Sequence, residues 1–312
     1  VLANTTREAV LALRGLAEGS SLDTAIEGNV LPRKKVGFLF TGQGSQRPGM
    51  GKELEESYPV FASILSEVAA AIDPHLELSI VELMFGPEDS EQAQLLGQTA
   101  YTQPALFALE VSLARFWQSL GVEPDIVLGH SIGELSAAHI AGVIDLDDAA
   151  KLVCARGRLM QGCRSDGAMV SVRASEQKVL EVIESVEGQV CIAGMNSPRQ
   201  TVISGDEAAV LAVAEKFESQ DVKTVRLDVS HAFHSAHMDG MLEDFAAVAR
   251  ACSFQSPRIP VVSNVTGKVA TTEQLTSPDY WVEHVREAVR FLDGIQTLEE
   301  EGVTTFVECG PH

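Results

Sequence analysis

Two rhythms of apolar and polar positions run along the chain. Over residues 36–166, short apolar runs end in glycine-rich turns and alternate with longer stretches of helical spacing. Val36-Gly37-Phe38-Leu39-Phe40 has the length and composition of a buried strand, and it empties into Thr41-Gly42-Gln43-Gly44-Ser45-Gln46-Arg47-Pro48-Gly49-Met50-Gly51. Residues 52–120 carry helical spacing. Phe107, Leu109, Val111, Leu113 and Phe116 form an apolar-rich segment behind Gln103-Pro104, and Pro104 suits a first helical turn. Asp125-Ile126-Val127-Leu128 predicts the next buried strand, followed by a turn and a helix to about Ala141. From Gly167 the rhythm changes to shorter units. Strands are expected at 168–172, 190–195, 200–204 and 223–228, with helices at 176–186 and 206–218. That order, βαββαβ, is the ferredoxin-like unit. Beyond it the first rhythm returns, with strands at 259–263 and 304–308 and helices near 279–286 and 290–301.

The expected fold is therefore α/β. A large α/β-hydrolase-like subdomain spans 36–166 and 231–312, and a ferredoxin-like small subdomain is inserted at 167–230. Residues 1–35 hold a short helical pattern, a polar Gly/Ser stretch and the basic step Arg33-Lys34-Lys35, which predict a linker or docking segment.

The helix expected at 146–161 carries a chemical signal. At about 100° per residue, Leu146, Ala149, Leu152, Val153, Leu159 and Met160 share one arc. Arg156 lies in the middle of that arc, while Lys151 and Arg158 lie opposite. A cation on a buried face needs an anion. That anion is either an internal carboxylate or the carboxylate of a substrate held in the bidentate guanidinium fork.

Composition narrows the field. Apolar residues make up 45% and charged residues 21%, as in soluble globular proteins. The net charge of −21 argues against a nucleic-acid partner, which requires a basic surface. No apolar run approaches the ~18 residues of a membrane span. The five cysteines, at 154, 163, 191, 252 and 309, form no C-x-x-C pair. They predict neither a zinc site nor a disulfide framework, and free thiols suit a reducing cytoplasm. The chain opens on Val1 and stops after Cys309-Gly310-Pro311-His312, which suggests a domain cut from a longer polypeptide.

The centre of the chemistry is Gly129-His130-Ser131-Ile132-Gly133, G-x-S-x-G between a strand and a helix: a nucleophile elbow. The sharp turn exposes Ser131 at the positive end of the helix and aims the Ile132 amide where an oxyanion forms. A serine hydroxyl needs a base. Three of the eight histidines, His231, His234 and His237, fall in one window immediately after the inserted unit. The loop at 41–51 fails as a phosphate loop. Gln46 stands where the first Walker glycine belongs, Glu53 replaces the Ser or Thr after Lys52, and Arg47 sits where the third glycine of G-x-G-x-x-G belongs. It remains a strand-end loop able to supply a second oxyanion donor, with Gln43 between two glycines, or else a plain loop.

F-x-x-x-G-Q-G-S-Q, G-H-S-I-G-E, an arginine 25 residues after the serine, N-S-P-R-Q-x-V-I-S-G and H-A-F-H-S occur in that order. Together they resemble the acyltransferase domains of modular type I polyketide synthases, relatives of malonyl-CoA:acyl carrier protein transacylases, over about residues 36–312. The resemblance implies that Ser131 is acylated and His234 is its base. It implies that Gln43 and Ile132 are the oxyanion donors and that Arg156 binds the malonyl carboxylate. Asn196, in the N-S-P motif, and His130 would lie near the substrate. The base would be oriented by a backbone carbonyl rather than an Asp, by position that of about His284. No bound cofactor or metal is implied. Malonyl-CoA is the expected substrate, and the expected partners are an acyl carrier protein bearing phosphopantetheine and a neighbouring ketosynthase domain; neither nucleic acid nor membrane is expected. His231-Ala232-Phe233-His234 follows the malonyl-selective pattern, where methylmalonyl-selective relatives tend to carry Tyr-Ala-Ser-His. His231 and Phe233 are thus candidate substrate-wall residues. A thioesterase, a non-catalytic docking scaffold and the equivalent domain of a type I fatty acid synthase are the competing possibilities.

Overall fold

The structure is a computed structural model that describes residues 1, 3, 5–20 and 34–311. The greater part of the expected polar linker, residues 21–33 with Arg33, lies outside the described residues, as does His312. Residues 1–34 form a unit of their own, whose described residues include the helix Thr6–Ala17. Thr5 caps it by accepting the Glu8 amide at 3.2 Å.

Within residues 35–312 the strands are β1 (Lys35–Phe40), β2 (Ile126–Gly129), β3 (Gly167–Val172), β4 (Val190–Ser197), β5 (Gln200–Asp206), β6 (Thr224–Arg226), β7 (Val261–Val262) and β8 (Val303–Cys309). They make two sheets. The first is parallel, in the order β7-β2-β1-β8, and Phe40 pairs with both Gly129 and Cys309. Parallel strands end on the same edge. The loops after β1, β2 and β7, carrying Gln43, Ser131 and Asn264, therefore converge there, where α/β sheets bind their ligands. Helices cover the sheet. Thr99–Ser119 and Leu146–Gln161 pack against each other, burying Phe107, Leu152 and Met160 in the main core.

The second sheet is antiparallel, in the order β4-β5-β3-β6, the arrangement expected of βαββαβ. Strand alternation gives it two working faces. Ala168, Val170, Val172 and Ile203 join Val210, Val213 and Phe217 in a small core beneath its own helices. Met169 and Val202 face the other way, into the main core.

Several boundaries differ from the sequence expectation for local reasons. The strand expected at 259–263 shrinks to two residues, because Pro260 has no amide to donate; it contributes only its carbonyl, to the Val127 amide at 2.9 Å. β6 is cut to the three residues that pair with β3 at the sheet edge. The helix expected at 176–186 ends at Ile183. The long helix begins at Thr99, so Pro104 lies inside it rather than in its first turn. Pro104 leaves the Ala100 carbonyl without its i+4 amide, and Gly157 of the neighbouring helix crosses at that point. A Cβ on Gly157 would lie 2.8 Å from the Thr99 oxygen.

Candidate active site

The elbow forms because two glycines let backbone touch backbone. A Cβ on Gly129 would fall 2.0 Å from the Gly133 carbonyl carbon, and one on Gly133 would fall 2.5 Å from the Thr41 oxygen. The helix Gly133–Ile140 is thus pressed against the ends of β1 and β2, and the turn forces Ser131 to φ 53. A non-glycine residue holds that value only when its surroundings fix it. Here Asn264 does so. Its Oδ1 accepts the Ser131 amide at 2.6 Å, its Nδ2 donates to the Gly129 carbonyl at 2.7 Å, and its own amide donates to Glu134 Oε2 at 2.6 Å. The Glu134 carboxyl is fully buried and also accepts from the Tyr280 hydroxyl, which sits 2.7 Å from Ser263 Oγ.

Ser131 Oγ lies 2.8 Å from His234 Nε2, and His234 Nδ1 lies 2.8 Å from the Glu287 carbonyl. A carbonyl only accepts, so Nδ1 carries the proton and Nε2 is left to accept from the serine. The orienting carbonyl is therefore that of Glu287, not of His284. Carbonyls within the helix Pro278–Arg286 point along its axis. Glu287, the first residue past it, is extended (φ −78, ψ 158), which turns its carbonyl aside toward the imidazole. The following residues are tied down: Val289 exchanges backbone bonds with Ala193 and Met195, and the Arg290 amide donates to the Asn264 carbonyl. His284 is buried nearby, its Nε2 3.4 Å from Glu134 Oε2. His234 itself has φ 53, and its carbonyl accepts from the Cys191 thiol at 3.2 Å. Burial, Arg156 and His284 hold the His234 imidazole well below 6.5, so it is neutral at neutral pH.

Arg156 is 1% exposed. Its Nη1 donates to Gln103 Oε1 at 2.8 Å and its Nη2 to Ser131 Oγ at 3.1 Å, while its buried Nε has no partner. The field of Glu134 reaches it, but among the described residues no carboxylate pairs with it. Burial lowers the guanidinium to about 9, which leaves it charged at neutral pH.

These groups open onto a cavity of about 160 Å³ with apolar walls, including Met160, Met169, Val202, Leu227, Phe233 and Val289. Gln43, His130, Ile132 and Asn196 line it as well. His130 Nε2 is 3.0 Å from Asn196 Oδ1, and burial lowers the imidazole from its ordinary range. Gln43 Nε2 donates to Thr99 Oγ1 at 3.1 Å. His231 does not line the cavity. It sits behind Phe233 (ring centroids 5.9 Å apart), with Nε2 3.1 Å from the Cys163 carbonyl. Asn264, Gln103 and Glu287 were not among the sequence candidates. Only Gln103, beside an apolar arc and Pro104, stood next to a pattern that could have drawn attention to it. Among the described residues no group of three His, Cys, Asp or Glu is placed to hold a metal ion, and no helix is long and apolar enough to cross a membrane.

Comparison with known proteins agrees with this geometry. The acyl transferase domain family model matches residues 37–312, and the chain belongs to that family. It is 49% identical over 295 residues to the spectinabilin polyketide synthase system protein NorB of Streptomyces orinoci, covering 95% of this chain and 13% of that protein. It is 50% identical over 312 residues to the polyketide synthase GfsA of Streptomyces halstedii, covering 100% of this chain and 4% of that protein. It therefore spans a small fraction of these multidomain relatives. Among solved structures, the acyltransferase domain from the second module of the salinomycin polyketide synthase superposes with a TM-score of 0.90 at 47% identity, covering 100% of this chain and 72% of that one. The malonyl-CoA:acyl carrier protein transacylase (FabD) of Xanthomonas oryzae pv. oryzae superposes with a TM-score of 0.82 at 34% identity, covering 90% and 89%. The chain is an acyltransferase domain of the polyketide synthase kind, structurally related to that transacylase.

Proposed function

We propose that this domain moves a malonyl group from malonyl-CoA to the phosphopantetheine thiol of an acyl carrier protein, through an ester on Ser131. The observation that carries the choice of malonyl is Arg156: a buried guanidinium beside the nucleophile, with no carboxylate paired to it among the described residues and with Nε unsatisfied. A substrate that brings a carboxylate completes it.

The Ser131 proton passes to His234 Nε2 as Oγ attacks the thioester carbonyl. The oxyanion is held by the amides of Gln43 and Ile132. In support, the Ser131 amide is already spent on Asn264, whereas neither of those two amides has a protein acceptor among the described residues. An imidazole held below its ordinary range forms a strong conjugate acid, suited to protonating the departing CoA thiolate. The carrier thiol then attacks the ester with His234 as base again. Apolar walls disfavour water, which supports transfer over hydrolysis. Phe233, 7% exposed on the cavity wall, fills space that an α-methyl would need, which supports malonyl over methylmalonyl.

The test is to incubate the domain with malonyl-, methylmalonyl- and acetyl-CoA and weigh the intact protein, then add holo-carrier. A malonyl adduct absent from Ser131→Ala and discharged to carrier faster than to water is expected. Discharge mainly to water would make the domain a thioesterase.

A further inference from the structure

The inner face of the antiparallel sheet does not stop at the cavity. Further along three strands, the same face runs into a second concavity. On β3, Met169 lines the cavity, while Ser171 and, just past the strand end at the same parity, Arg173 line the groove. On β5 the pair is Val202 and Gln200. At β6, Leu227 gives way to Val225 and Lys223. The β4–β5 turn closes the groove with Ser197 and Arg199. The Arg173 amide donates to the Lys223 carbonyl at 2.9 Å, so two of the three cations leave adjacent backbone. All three are exposed, and among the described residues none has a carboxylate within ion-pair distance. By contrast, Arg164, Arg226, Arg250, Arg286 and Arg290 each pair with an acid. Three unpaired cations converging in one groove, on a chain of net charge −21, mark a place kept for an anion.

We propose that this groove holds the phosphates of the acyl-CoA donor; the inference rests on the acyl-CoA chemistry proposed above. The span fits. From Met169 to Arg173 is four residues, about 13 Å at ~3.3 Å per residue. Four residues of extended backbone are about twelve bonds, and the pantetheine arm from thioester sulfur to first phosphorus is about thirteen. An arm laid along the sheet from the Met169 wall of the cavity that holds Ser131 brings the diphosphate toward Arg173, Lys223 and Arg199, whose guanidinium forks and ammonium suit phosphate oxygens. Ser171, Ser197 and Gln200 add neutral donors. The groove is a small concavity lined by a handful of side chains, whereas a carrier protein needs roughly 800 Å² of surface. That difference favours the small anion over a docked protein.

The test uses Arg173→Ser/Arg199→Ser/Lys223→Ser, with Arg250→Ser as a control for charge removed elsewhere. Acylation of Ser131 is measured as kcat/KM with malonyl-CoA and with malonyl-pantetheine, which carries the same thioester and no phosphate. The triple variant should lose about tenfold or more with malonyl-CoA and nothing with malonyl-pantetheine, and the control should change neither. Calorimetry of free CoA should show the same loss of affinity, so the groove stays testable even if the protein transfers no acyl group. Equal losses for both donors would overturn the proposal. So would intact acylation with slowed transfer to holo-carrier, which would make the groove a carrier contact. A wild-type protein that takes neither thioester onto Ser131, yet binds CoA through these cations, would refute the transfer chemistry and leave the groove standing.

Discussion

Replacing Arg156 with alanine separates substrate binding from scaffolding. In the free protein the guanidinium is held by Gln103 at 2.8 Å and Ser131 Oγ at 3.1 Å, with Nε empty. With malonyl bound, its partner becomes a desolvated carboxylate. Removing one member of a buried charge pair costs about 3–5 kcal/mol, because the other is left buried and alone. At about 1.4 kcal/mol per decade, malonyl acylation should fall by roughly a hundred- to several-thousand-fold. Acetyl brings no carboxylate, so that term vanishes. Arg156 is also second only to burial among the influences that depress His234, so its removal leaves the base slightly stronger. Acetyl acylation should therefore stay within about tenfold of wild type. Deleting an incompletely satisfied buried charge offsets the lost packing, and the unfolding midpoint should move by only a few degrees. Time courses of intact mass with both thioesters read the ratio directly. If malonyl and acetyl fall by the same factor, the cation is structural and the proposed substrate loses its main support. Arg156→Lys should land in between, since it keeps the charge and loses the fork.

Three further outcomes are expected. Because burial, Arg156 and His284 hold His234 well below 6.5, its basic form persists through that pH. The kcat/KM for acylation should stay level as pH falls from 8 through 6.5 and drop only further down; a midpoint at 6.5 would contradict the shift. Phe233→Ser should reduce the preference for malonyl-CoA over methylmalonyl-CoA, within the roughly 10–200-fold that one methyl in a pocket is worth. His231→Tyr should add little by itself, since His231 sits behind Phe233 on the Cys163 carbonyl; the ratio of kcat/KM values for the two donors checks both, and a preference unmoved by Phe233→Ser would show that this ring does not set it. Asn264→Ala strands the buried Ser131 amide and Gly129 carbonyl, at about 1–3 kcal/mol, and should lower the calorimetric midpoint by several degrees while slowing acylation. An unchanged midpoint would mean Asn264 does not hold the elbow.

What the sequence made legible was whatever has a short period or a local turn. The strand–elbow–helix around Ser131, the arc carrying Arg156 and the βαββαβ order could be read because each is set within a few residues of itself. Asn264 and Glu287 could not. Asn264 holds the Ser131 amide from 133 residues away, across the β2–β7 pairing, and nothing in its neighbourhood advertises that task. Glu287 acts through its backbone, and its side-chain identity says nothing about where its carbonyl points. The position expected for that carbonyl missed by one helix end, which is where the chain changes direction. Pro104 misled in another way: the helix begins five residues earlier, at Thr99, so the proline sits inside it rather than at its start. That no carboxylate among the described residues pairs with Arg156 was likewise beyond sequence, because it depends on which acidic residues fold nearby.

The cavity takes its nucleophile from one sheet and much of its wall from the other. Gly129 and Gly133 leave no room for another side chain, so the half that performs bond-making is frozen against change. Met169, Val202 and Leu227 stand on a second sheet whose opposite face packs a separate core, so the wall they form is anchored apart from the elbow. Such a division of labour puts the bond-making serine at the end of one sheet and much of the surrounding wall on the other. For the engineer it marks where libraries should be planted: along the inward-facing positions of β3, β5 and β6, with the elbow left as inherited.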